Sequence, residues 1–282
     1  MTTTTSVQIQ PMTPFGVEVD IDLRDPANDS RVAELFKEHG FLLFRNQELS
    51  QDQQKRVMNA LGPVLDDFTT VGYVSNTRAD GLLGDSEVSY HLDFIYTPVP
   101  LLGISLHAIE VPYEETWTSY ASSSLALASL PPATRARLKG LSGLNLFSAS
   151  EEGLTGRQRL EGYPDNAPRT EHPLINVDPI TGKQVLFATQ QNTALIVGLS
   201  EAESEDLLTE LHRYLYAEGN VYNHRWRNGD MVVWANHAFH HARGRLVPGK
   251  TRTLQRVCIT NGKSEDYRPP IPNDRLPVDQ RK

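Results

Sequence analysis

The residues of this chain that can do chemistry lie inside short apolar runs that read as strands, and that constrains the fold more than any other feature. "SYHLDFIY" (89–96) sets His91 and Asp93 two positions apart in an aromatic run. "DMVVWANHAFHHARGR" (230–245) brings His237, His240 and His241 directly after an apolar stretch. "RTLQRVCIT" (252–260) alternates Arg252, Leu254, Arg256 and Cys258 with Thr253, Gln255, Val257 and Ile259. Side chains two apart in a strand face the same way, about 6.6 Å apart at about 3.3 Å per residue. A fold that suits this pattern turns a polar strand face inward. The Val257 and Ile259 face should meet core, and the two guanidiniums should not simply face solvent.

Helical patterns fill the start of the chain and the insertions. "DSRVAELFKEHG" reads as a helix capped by Asp29 or Ser30 and stopped at Gly40. "SQDQQKRVMNALG" carries a capping box in Ser50 and Gln53, and "LSEAESEDLLTELHRYLYAEG" another in Ser200 and Glu203. "SSSLALASLPPATRARLKGL" reads as two helices around a Pro-Pro restart. "FLLFRN" and residues 90–95 and 102–109 read as strands, and "HPLINVDPITGKQVLFAT" as a hairpin. Residues 66–89 and 147–169 read as long loops of the binding-loop type. The expectation is one domain over residues 1–282, mainly β with flanking helices, an antiparallel sandwich or barrel. Residues 1–8 and 267–282 are expected to be extended or flexible tails.

A net charge of −8 argues against nucleic acid or an anionic membrane as the main partner. One cysteine, Cys258, excludes an intrachain disulfide and fits a reducing compartment. The chain begins without a signal-peptide pattern, and no apolar run approaches the ~20 residues of a membrane span. A soluble cytoplasmic protein is the expectation.

An imidazole and a carboxylate on one strand face suit Fe(II), Mn(II) or Zn(II), although a hydrogen-bonded pair on a sheet surface is the plainer reading of His91 and Asp93. A third ligand is available from His237, His240 or His241, which would make a 2-His-1-carboxylate triad with open coordination positions. A closed structural zinc site would want more cysteine than this chain has. The two arginines need counter-charge, from internal acids or from an anionic ligand such as a carboxylate. His107 and His172 read as structural.

At this point the order His91-x-Asp93, Thr118, His241, Arg252 resembles the taurine/2-oxoglutarate and 2,4-D/2-oxoglutarate (TauD/TfdA) dioxygenase family, within the clavaminate-synthase-like superfamily. The resemblance runs from about "GVEVDIDLRDP" to "RVCIT" and includes "LGDSEVSYHLDF", "PLLGISLHAIEVP", "EHPLINVDPITGKQVLF" and "RWRNGDMVVWANHAFHHARGR". It implies a double-stranded β-helix (jelly-roll, cupin-like) core and Fe(II) held by His91, Asp93 and His241. His241 follows Trp234 by seven residues and Arg252 follows His241 by eleven, as in the family. The resemblance further implies 2-oxoglutarate and O₂ as co-substrates, with Thr118, Arg252 and Arg256 binding 2-oxoglutarate. Tyr73, Asn76, Tyr90, Phe94 and Arg256 become candidate contacts to a small-molecule substrate. Oxidation of an unactivated C–H, most simply hydroxylation, would release succinate and CO₂. Asp93 speaks against a halogenase, which lacks that carboxylate. The family admits a homo-oligomer, a dimer or a tetramer. Tyr90, Leu92, Trp117 and Ala235 depart from the family pattern without removing a ligand and suggest a more apolar pocket. The rival readings are a cupin-type metal protein that does not use 2-oxoglutarate and a non-catalytic protein that has kept the fold.

Overall fold

The computed structural model describes residues 7–67, 70–148 and 152–267. The described strands form four sheets, and the two largest build the core. The larger has eight strands, in the order Gln8–Pro11, Val17–Asp20, Phe41–Phe44, Met231–Ala235, Gly103–Glu110, Thr253–Ile259, Val71–Ser75 and Gly81–Leu83. The smaller has four, in the order Val221–Arg225, Trp117–Ser122, Phe239–Arg243 and Val88–His91. Pairing is antiparallel except for Val17–Asp20 on Phe41–Phe44 and Val71–Ser75 on Gly81–Leu83. Tyr120 of the small sheet packs edge-on against Phe41 and Trp234 of the large one, at 4.9 and 5.1 Å, so the two inner faces share one core. This is the jelly roll that the sequence led us to expect, with helices on its outside.

The strand Thr253–Ile259 is buried on both faces. Its Leu254 and Arg256 face looks between the sheets. Gln54, on the helix Gln51–Leu61 that covers the other face, donates to Ser105 Oγ at 2.8 Å and to Gln255 O at 3.2 Å. Ser105 Oγ and Gln54 Nε2 are thereby paired where water cannot reach them, while Gln54 Oε1 and Gln255 Nε2 have no partner among the described residues. A second core forms beside the jelly roll. There the helix Glu201–Leu215 turns Leu207, Leu208, Leu211 and Leu215 toward Leu127, Leu186 and Ile196. Both capping boxes are present. None of the described helices is long and apolar enough to cross a membrane.

Several expectations need correction. The first helix is Asp29–His39, and its N-cap is Asn28 with no side-chain cap bond, so neither Asp29 nor Ser30 caps it. Residues 66–89 are not one loop: they contain the strands Val71–Ser75 and Gly81–Leu83, which complete the edge of the large sheet. The strand expected over 90–95 is Val88–His91 and stops at His91. The 147–169 stretch includes a short helix, Glu152–Thr155, and residues 149–151 lie outside the described part. Gln8 lies in an edge strand, paired with Asp20, and Tyr267 is buried in a short 3-10 helix. Residues 1–6 and 268–282 lie outside the described part.

Gly40 ends its helix at φ 69°, and a Cβ there would come within 2.8 Å of Thr181 Cγ2. Gly40→Ala is expected to lower stability by about 1–2 kcal/mol from backbone strain, with the crowding adding to it. Chemical denaturation of the two proteins measures the loss.

Candidate active site

His91 and His241 meet because their strands are neighbours and the two residues sit directly opposite each other in the register. Their ring centroids are 4.0 Å apart. Asp93 arrives differently. It lies beyond the strand end, in a turn where Phe94 adopts φ 59°, so strand alternation does not place it beside His91. Asn236 holds that turn: its Oδ1 accepts from Asp93 N at 3.1 Å, and its Nδ2 donates to Asp93 O at 2.9 Å and Leu101 O at 3.0 Å. Asn236 lies two residues after Trp234 and was not anticipated as part of the site.

The three side chains converge. One ligand atom from each of His91, Asp93 and His241 lies within 4.8 Å of the others. Asp93 Oδ1 is 3.2 Å from His91 Nε2 and 3.7 Å from His241 Nε2, while Oδ2 accepts from Arg256 Nη2 at 2.6 Å. Arg256 thus occupies one carboxylate oxygen and leaves the other for an ion. His91 Nδ1 lies 2.9 Å from Ser89 O, which favours a proton on Nδ1 and a lone pair on Nε2. Burial would push the Asp93 carboxyl up, but Arg256, with His91 and His241, holds it well below the usual carboxylate range. Burial, and then the neighbouring His91, hold His241 well below its usual value, so its imidazole is neutral. Two imidazole nitrogens and an ionised carboxylate are a donor set that fits Fe(II).

A cavity of about 70 Å³ runs from these ligands to Thr118 and Arg252 and is lined also by Val74, Ile104, Leu106 and Trp234. Arg252 is 1% exposed. Its Nη2 donates to Thr118 Oγ1 at 3.2 Å, and its Nε and Nη1 have no acceptor among the described residues. Burial pushes the guanidinium down to about 9, and Arg243 pushes it the same way. Trp226 Nε1 also donates to Thr118 Oγ1, at 3.0 Å. With two donors on its oxygen, the Thr118 hydroxyl is free to donate its own proton to a ligand. Trp234 Nε1 and Tyr120 Oη are buried with no partner among the described residues, Trp234 on the cavity wall. A cavity end lined by donors without acceptors fits a carboxylate.

The other candidates sit elsewhere. Tyr73 faces away: its neighbour Val74 lines the cavity, and its own ring carries the Arg78 guanidinium at 3.8 Å. Asn76 is a framework residue. Its Oδ1 accepts from Arg252 N at 2.8 Å, and its Nδ2 donates to Asp85 Oδ1 and Lys250 O. Tyr90 does not line this cavity but stacks on Tyr216 at 4.1 Å; the Tyr216 hydroxyl lies 3.0 Å from His240 Nδ1, next to His241. Phe94 packs edge-on against Tyr267 at 5.0 Å. Among the described residues neither His237 nor His240 joins the metal cluster. His107 and His172 bond to Gln47 O and Thr97 O, as structural histidines do. Cys258 is buried, and burial pushes its thiol up to about 12.

Fold and site together define a jelly-roll, mononuclear non-haem metalloenzyme with a carboxylate-binding cavity beside the metal cluster. The sequence model of the family described as "Taurine catabolism dioxygenase TauD, TfdA family" matches residues 8–258, and the chain belongs to that family. It is an Fe(II)- and 2-oxoglutarate-dependent dioxygenase that acts on a small organic substrate. The alpha-ketoglutarate-dependent 2,4-dichlorophenoxyacetate dioxygenase of Cupriavidus pinatubonensis is 28% identical over 274 residues, 88% of this chain and 95% of the relative. Pentalenolactone F synthase of Streptomyces arenae is 31% identical over 202 residues, 65% of this chain and 67% of the relative. The crystal structure of a taurine dioxygenase from Burkholderia xenovorans superimposes with a TM-score of 0.75 at 23% identity, over 94% of this chain and 95% of that one, which shows the shared fold.

Proposed function

We propose that the enzyme hydroxylates an unactivated C–H of a small, largely apolar organic molecule, with His91, Asp93 and His241 as the iron ligands. Arg252 and Thr118 receive the far carboxylate of 2-oxoglutarate, and succinate and CO₂ are released. The observation that carries this reading is Arg252, a buried guanidinium whose Nε and Nη1 have no acceptor among the described residues, at the end of a cavity that begins at the metal cluster. Desolvating a cation costs several kcal/mol unless an anion offsets it. A metal protein that does not use 2-oxoglutarate would have no use for that charge.

Bound iron, with 2-oxoglutarate, supplies the oxidising power, and the chain supplies position and exclusion. His91 and His241 offer Nε2 lone pairs, and Asp93 offers one oxygen because Arg256 holds the other. Three protein ligands leave the remaining coordination positions for co-substrate and oxygen. Arg256 acts mainly by positioning Asp93, beside the metal end of the co-substrate. Val74, Ile104, Leu106 and Trp234 on the cavity wall support an apolar substrate. Similarity to enzymes named for a phenoxyacetate and for pentalenolactone F supports the same class. The single buried cysteine supports a cytoplasmic setting.

Purified protein supplied with Fe(II) and 2-oxoglutarate in air is expected to form succinate, and the reaction should stop when a chelator removes the metal. A panel of small aromatic and terpenoid acids should contain a compound that gains one oxygen atom by mass spectrometry and raises succinate formation. No iron-dependent succinate, with or without such compounds, overturns the reading.

A further inference from the structure

Arg243 ends the strand Phe239–Arg243, two residues beyond His241, and lines the same cavity as Arg252 and Thr118. It is 6% exposed. Its Nε donates to Ser86 O at 3.0 Å, and its Nη2 to Leu83 O at 3.1 Å, Gly84 O at 3.2 Å and Ser86 O. These bonds use one side of the guanidinium fork. Nη1 is buried and has no acceptor among the described residues. Neither Arg243 nor Arg252 forms an ion pair among the described residues, whereas Arg256 is paired with Asp93. Asp85 reaches Arg243 only at longer range, and its Oδ1 accepts from Asn76. The far end of the cavity therefore holds two guanidiniums with free donors, and each raises the cost of the other's burial in a poorly solvated space.

We propose that Arg243 is a second guanidinium for the far carboxylate of the co-substrate. Its Nη1 donates to that carboxylate beside Arg252, while its Nε and Nη2 hold segment 83–86 closed over the same end of the cavity. The inference rests on the reading that this cavity takes 2-oxoglutarate. It assigns to Arg243 a selectivity for keto acids that carry a second carboxylate over those of equal length that do not. The carbonyl bonds explain how a guanidinium is held there before any ligand arrives, because three backbone oxygens from one turn fix the plane of the fork.

The test is binding of 2-oxoglutarate and of 2-oxovalerate, which matches it in length but lacks the far carboxylate, to Mn(II)-loaded protein. Calorimetry gives the first constant, and competition against the first gives the second. Arg243→Gln is expected to weaken 2-oxoglutarate by about tenfold or more, the usual worth of a charge-assisted hydrogen bond, and to change 2-oxovalerate by less than about twofold. Arg243→Lys, which keeps the charge, should recover part of the loss. Equal weakening of both keto acids would make Arg243 a clamp alone and overturn the proposal, as would no change in either. If the unaltered protein binds 2-oxoglutarate no better than 2-oxovalerate, the co-substrate reading itself fails, and that result is distinct from the other two.

Discussion

Asp93→Ala is expected to abolish iron retention and to reduce succinate formation by about a thousandfold or more, since two imidazoles alone hold Fe(II) poorly. Asp93 is the only carboxylate in the metal cluster found among the described residues, and the only one of the three ligands that brings negative charge. The substitution also removes the acceptor of the 2.6 Å bond from Arg256, which should cost about 1.5–3 kcal/mol of stability. The two effects separate in Asp93→Asn, which keeps the volume and a hydrogen-bonding oxygen but not the charge. Its melting curve should move less than that of Asp93→Ala, while its iron content, read by atomic absorption after gel filtration, should be as low. Full iron content in either variant would remove Asp93 from the ligand set.

Arg252→Met is expected to act on binding and stability in opposite directions. The binding constant for 2-oxoglutarate should weaken by about a hundredfold, because the far carboxylate loses a charged partner in a space that water does not fill. The ligand-free protein should become more stable, by about 1–3 kcal/mol, because a buried cation without a carboxylate partner is replaced by an apolar side chain of similar length. Metal retention should be unchanged. Calorimetric titration and chemical denaturation measure the two quantities independently. Unaltered 2-oxoglutarate affinity would favour the cupin-type reading. A loss of stability would mean that Arg252 is a structural residue satisfied by the fold. Sites that bind charged ligands commonly carry this stored cost, and it is offset only when the ligand arrives.

The helices and many of the strands were legible in the residues. The boxes at Ser50 and Ser200, the Pro-Pro break and the apolar run at 41–44 each rest on contacts within one turn or one strand, and the structure keeps them. The edge strands Val71–Ser75 and Gly81–Leu83 were missed because nothing local distinguishes them from loop. Val71–Ser75 exists because Thr253–Ile259 offers it a row of unpaired backbone groups, and Gly81–Leu83 pairs in turn on Val71–Ser75. The facing of Tyr73 and the placing of Asn76 depend on that same pairing. Asn236, Arg243 and Tyr216 left no signal in the sequence beyond lying near residues that did.

By itself the sequence determined which residue types were available for chemistry: a histidine–aspartate pair, a histidine cluster after an apolar strand, and two arginines alternating with Leu254 and Cys258. That was enough to place the chain in its family and to name its metal and co-substrate. Only the tertiary structure decided how they meet. It set His241 opposite His91 by strand register, brought Asp93 in through a turn that Asn236 holds, gave one Asp93 oxygen to Arg256, and left Arg252 and Arg243 with buried donors. Those outcomes depend on pairings between segments more than a hundred residues apart, such as His91 with His241 and Thr118 with Arg252. Local propensity carries no information about such pairings, because the energy that selects them comes from register and burial across the whole sheet.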